Sequence, residues 1–118
     1  NVCSVSQLRT PLLLKNLESR DDLISPELRA LAEHDRKKET QYCETLYFYL
    51  IYSHSLKKTC DALFTHRNTV LYRIGRIRDD FLIPLDDPER YTELLLGTAI
   101  LLFQNEGPDF FYGQCRKR

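Results

Sequence analysis

The stretch SLKKTCDALFTHRNTVLYRIGRIR, residues 55–78, constrains this chain more than any other. Leu56, Thr59, Cys60 and Leu63 recur at the i, i+3/i+4, i+7 spacing of one buried helix face. Ser55 stands just before them and suits an N-cap, because its hydroxyl accepts an otherwise unpaired backbone N–H. Small Cys60 falls mid-helix on the inner face, where a second helix must come close. Phe64 and Thr65 end this helix. A second helix is expected from about Arg67 to Phe81, capped by His66 or Thr65. Its core stripe is Val70, Ile74, Ile77 and Phe81, spaced i, i+4, i+7, i+11. Two short helices joined by a tight turn make a helix-turn-helix, and charge decides what such a unit can meet.

The chain has 17 basic and 17 acidic residues, so its net charge is silent about partners. The distribution is not. Residues 54–78 hold six Lys/Arg against one acid, while residues 79–118 hold four against eight. A local cationic element gains affinity for a phosphate backbone by releasing counterions. On charge alone, a solvated face would explain the same run; the cap, turn and stripe favour a docking element. At about 100° per residue, Asn68, Tyr72 and Arg76 lie opposite the stripe, with Thr69 beside them and Arg73 on the flank. Amide, hydroxyl and guanidinium groups near a helix N-terminus read base edges and hold phosphates. The terminus adds positive partial charge of its own. We therefore expect Lys57, Lys58, His66 and Arg76 on the DNA backbone, and Asn68, Thr69, Tyr72 and Arg73 reading or flanking bases. Arg67 either holds a phosphate or pins the turn through a neighbouring carboxylate, and Tyr72 has the alternative of packing on Arg76. His66 fits a cap or phosphate neighbour better than a catalytic base, since no nucleophile or acid partner is placed with it. Gly75 is unusual on the outward side, where glycine costs about 1 kcal/mol against alanine; it either admits a close backbone or is simply tolerated.

At residues 62–77, ALFTHRNTVLYRIGRI, the sequence resembles the C-terminal helix-turn-helix of PucR-type bacterial transcription regulators. The matching residues are Leu63, His66, Arg67, Asn68, Thr69, Val70, Tyr72, Arg73, Arg76 and Ile77. Residues 34–50 are similar to the helices before that motif, and residues 82–102 to the Asp-Asp-Pro-Glu linker and closing helix after it. The resemblance spans roughly residues 25–103. Cys60, Thr65 and Gly75 depart from the usual alanine, aliphatic and polar residues. The resemblance implies an all-α fold, a small helical bundle around a Fis-like helix-turn-helix. It also implies sequence-specific binding of double-stranded DNA, as a homodimer, by the output piece of a longer cytoplasmic regulator. A small-molecule effector, if there is one, would bind the upstream region. On this basis residues 1–24 are a helical link, 25–105 the DNA-binding domain and 106–118 a tail. The competing reading is a helical interaction module without DNA affinity, with its aromatic segments 42–52 or 110–112 as the sticky surface.

The other elements read as helices. Residues 6–19 suggest one that Pro11 interrupts or delays. Ser25-Pro26-Glu27 starts another, with Leu28, Leu31 and Ala32 inward and the polar run 34–39 at its end. Residues 40–52 are apolar nearly all round and suit the central helix, with Cys43, Leu46 and Leu50 inward. Asp87-Pro88-Glu89 is expected to start the last helix. Its run 94–103 is either sandwiched in the core or buried against a second copy, and this helix or the tail is the expected dimer contact. His34 and His54 are expected at the surface. Four widely spaced cysteines, Cys3, Cys43, Cys60 and Cys115, without a Cys-x-x-Cys, read as reduced thiols. No apolar run is long enough to span a membrane. No glycine-rich phosphate loop or metal-ligand spacing occurs, so we expect no enzyme, cofactor or metal.

Overall fold

A proline at the first helical position lacks only an N–H that would be unpaired there anyway. Pro26 accordingly opens the helix Pro26–Lys38 in the computed structural model, which describes residues 5–111. We number the α-helices α1 Val5–Leu17, α2 Pro26–Lys38, α3 Tyr42–Ile51, α4 Leu56–Leu63, α5 Arg67–Asp79 and α6 Tyr91–Glu106. A short 3-10 turn, Asp21–Leu23, joins α1 to α2. Among the described residues there is no strand, and the fold is all-α.

The central element is α3, which packs on α2, α4, α5 and α6. Its side chains demand this, because Tyr42, Cys43, Leu46, Tyr47, Phe48 and Leu50 are all buried. An apolar helix without a polar face is stable only when covered on all sides. Its N-terminus is held from outside. Gln41, the N-cap, makes no side-chain cap bond. Asp35 of α2 supplies the acceptors instead: the N–H groups of Tyr42 and Cys43 donate to its carboxylate at 2.9 and 2.8 Å, and the Thr40 hydroxyl donates to the same group.

Helix α6 closes the bundle. Leu94 and residues 97–103 are buried within this chain, which resolves the two sequence alternatives in favour of the core. Gly97 gives the Leu28 side chain room: a Cβ there would lie 2.7 Å from Leu28 Cδ1, so Leu28 would have to shift. Arg90 ties the two N-terminal ends together, donating to Glu27 of α2 and Glu93 of α6. Phe110 and Phe111 fold back onto Tyr47, Phe48 and Phe103, so these aromatics serve interior packing; Tyr112 lies outside the described residues.

Four expectations are corrected. Pro11 lies inside an unbroken α1, buried. The last helix starts at Tyr91; residues 88–90 form a turn in which the Glu89 N–H donates to the Asp87 side chain. His34 is half-buried, stacked on Tyr42 at 4.9 Å with its edge to Phe81. His54 is half-buried on Tyr49 at 4.7 Å. Cys43 and Cys60 are free thiols, and burial pushes the Cys43 thiol far above the usual range, which keeps it protonated and inert. Cys3 and Cys115 lie outside the described residues, as does the end of the tail. Among the described residues, no helix is long and apolar enough to cross a membrane.

Candidate nucleic-acid interface

Helix α4 begins as its sequence dictates: Ser55 caps it, with the Lys58 N–H donating to Ser55 Oγ at 3.2 Å. Thr59 faces inward, fully buried, and its hydroxyl donates to the Ser55 carbonyl. A three-residue turn follows. Phe64 ends α4 in the left-handed region at φ 52°, unusual for a residue with a Cβ, and the Thr65 N–H returns to the Cys60 carbonyl. Phe64 is 80% exposed there. His66, not Thr65, is the N-cap of α5, and its Nδ1 accepts the Asn68 N–H at 3.0 Å. An accepting Nδ1 puts the proton of a neutral ring on Nε2, which leaves that N–H as a donor.

The α5 stripe lies as its spacing requires: Val70, Ile74 and Ile77 are buried and Phe81 is half-buried. The opposite side of its N-terminal half is open. Arg67, Asn68 and Thr69 are exposed, and Tyr72 is 62% exposed. Lys58 and Arg67 make no ion pair with a described residue, whereas exposed Lys57 meets Asp61 at 3.1 Å.

The two remaining arginines are turned elsewhere. Arg73 donates to Thr45 Oγ1 at 3.1 Å and so bonds α5 to buried α3, away from the exposed group. Arg76 donates to Asp80 at 2.6 Å and to the Tyr42 hydroxyl, with its guanidinium near the Tyr42 and Phe81 rings. The Asp80 hydrogen bond first, then the Tyr72 hydroxyl, raises the Arg76 pKa. The structure thus leaves His66, Arg67, Asn68, Thr69 and Tyr72 exposed at the start of α5, and Lys57 and Lys58 exposed at the start of α4, with Lys57 paired to Asp61. Arg73 and Arg76 it places against α3.

Three exposed residues of this helix-turn-helix unit escaped the sequence reading. Phe64 is exposed on the turn, Leu71 is 46% exposed on α5, and Arg78 reaches Asp86 of the α5–α6 connection at 3.6 Å. The helical wheel puts Leu71 and Arg78 on one flank, a usable signal that the stripe analysis passed over.

Gly75 is half-buried, and a Cβ added to it meets nothing within 4 Å. The bundle therefore does not need a glycine there. We expect Gly75→Ala to stabilise the chain by about 0.5–1 kcal/mol, through helix propensity and a less flexible unfolded chain. Urea titration checks this; a loss of stability would mean that Gly75 has a structural role in the bundle.

The comparisons with known proteins point the same way. The sequence model of the PucR C-terminal helix-turn-helix domain matches residues 42–100, that is, α3 to the middle of α6. The match is narrower than the span of about 25–103 expected from sequence, and it leaves out α2. Over 91 residues the chain is 29% identical to the proline-responsive transcriptional activator PutR of Bacillus subtilis (strain 168), covering 75% of this chain and 22% of that protein. The chain thus spans about a fifth of the length of this curated relative. No solved structure matches. With its helix-turn-helix in place and half its length matched, the chain belongs to the PucR C-terminal helix-turn-helix domain family.

Proposed function

We propose that this chain is a sequence-specific DNA-binding output domain of a bacterial transcriptional regulator, with the N-terminal half of α5 in the major groove. One observation carries this: the apolar stripe of α5 is spent on the core while its first turns leave an arginine, an amide and the Thr69 hydroxyl in solvent, with the exposed Tyr72 ring one turn on. Asn68 is positioned to read a base edge, with Thr69 and Tyr72 beside it. Lys57, Lys58, Arg67 and the His66 Nε2–H supply phosphate contacts. Arg73 serves by fixing α5 to α3. Arg76 reaches a phosphate only by giving up its Asp80 and Tyr42 partners. The domain works in the cytoplasm and has no catalytic role. We keep residues 25–105 as the functional unit, 1–24 as the link and 106–118 as a tail. The domain binds as a dimer on paired half-sites. Because Leu94 and residues 97–103 of α6 are buried within the chain, we favour a dimer contact elsewhere on the surface. A regulatory ligand, if there is one, acts outside this chain.

Fluorescence anisotropy with DNA selected from a random duplex pool, at several salt concentrations, tests this. Binding through about five phosphates gives a log–log salt slope of about −4 to −5. Asn68→Ala is expected to cost about 1–3 kcal/mol on the preferred site and to relax sequence choice. Lys58→Ala is expected to weaken all DNA about equally and to reduce the slope by about one. An unselective chain whose binding ignores salt would end the proposal.

A further inference from the structure

Leucine has no hydrogen bond to offer a nucleic acid, yet Leu71 is 46% exposed in the second turn of α5. A single exposed leucine is ordinary; its surroundings make this one informative. It lies about 90° round the helix from the buried stripe. Arg67 is one turn before it, Gly75 one turn after it, and Asn68 stands at i−3 on the same side. Gly75 puts no side chain on the next turn, and the space where its Cβ would stand is empty. The flank is therefore a cation, an aliphatic group and a gap, beside an amide. Base edges in the major groove are donors and acceptors with one apolar exception, the 5-methyl group of thymine.

We propose that Leu71 is a specificity residue that packs on a thymine methyl in the major groove, next to the base read by Asn68. The proposal rests on the DNA-binding function put forward above. Residues at i and i+3 are about 4.5 Å apart along a helix axis. Base pairs are stacked about 3.4 Å apart, so the two side chains meet the same or adjacent steps. Asparagine suits adenine N6 and N7, so Asn68 and Leu71 together select an A·T-containing step. The gap at Gly75 lets the leucine approach the bases without a following side chain in the way.

The test uses deoxyuridine, which differs from thymidine only by the missing methyl. Duplexes are selected from a random pool with the 118-residue chain and resynthesised with deoxyuridine at each thymine in turn. For the wild-type chain we expect one position where deoxyuridine weakens binding about three- to tenfold, the loss of one buried methyl. Leu71→Ala is expected to bind the thymine duplex several-fold more weakly and to be indifferent to deoxyuridine at that position. Its far-UV circular dichroism is compared with wild type, and the wild-type deoxyuridine scan stands alone should this variant misfold. Salt-sensitive, sequence-selective binding with no deoxyuridine-sensitive position, or a folded Leu71→Ala that keeps the full deoxyuridine penalty, overturns the role of Leu71 and leaves DNA recognition intact. No selection and no salt-dependent binding overturns both.

Discussion

Leu46→Ala is expected to lower the unfolding free energy by about 2–5 kcal/mol, the usual cost of emptying a leucine site in a packed core. Leu46 is completely buried at the middle of α3, the helix that α2, α4, α5 and α6 all pack upon. Because Leu46 is fully buried, the change opens a cavity in the core rather than exposing surface. Domains of this kind have only about 5–15 kcal/mol in hand, so the variant is expected to be partly unfolded in mild urea. Urea titration followed by circular dichroism is the measurement, with a lower midpoint and an unchanged slope as the result. Leu12→Ala is the control: Leu12 is 62% exposed, and the same change there should shift stability by no more than about 0.5 kcal/mol. Equal effects at the two positions would contradict the placement of α3 at the centre.

Asp35→Ala has the second largest expected effect, about 2–4 kcal/mol of destabilisation. Its carboxylate accepts the first N–H groups of α3 and the Thr40 hydroxyl, and the formal N-cap contributes no side-chain acceptor. Hydrogen bonds to a charged group contribute about 1.5–3 kcal/mol, and stranding a buried donor costs about 1–3 kcal/mol. Tyr42 and Cys43 are both buried, so water has poor access to their N–H groups once the carboxylate has gone. Asp35→Asn retains one carbonyl acceptor and is expected to lose roughly half as much. The damage should also reach the interface. Tyr42 touches Arg76 through its hydroxyl and ring, so a frayed α3 N-terminus loosens one support of α5. Hydrogen exchange at the amides of residues 42–46 would report it; protection unchanged from wild type would show that α3 does not depend on this carboxylate.

The contrast between these residues explains what was legible. Ser55, the α4 spacing and the Val70–Ile74–Ile77 stripe are local signals, one cap or one periodicity each. The helix-turn-helix built from them stands where the sequence places it. Asp35 is different, because nothing in the run 34–39 says that its carboxylate caps the next helix eight residues on. Arg73 shows the same limit: the wheel puts it on a flank, and only the approach of α3 turns it to Thr45, 28 residues away. Pro88 looked like a helix start, yet the Asp87 side chain and carbonyl stabilise a turn there, and α6 begins three residues later.

The sequence by itself determined the all-α class, the capped pair α4–α5, the family, and the group Arg67, Asn68, Thr69 and Tyr72 at one helix start, because caps and helical periodicity act within a few residues. The tertiary structure decided which of the nearby arginines remain in solvent, that the apolar run of α6 is core, and that Leu71 is left half-exposed beside Asn68. Those outcomes depend on which distant helix arrives to cover a given flank, and a periodicity shows that a face must be buried without showing what buries it.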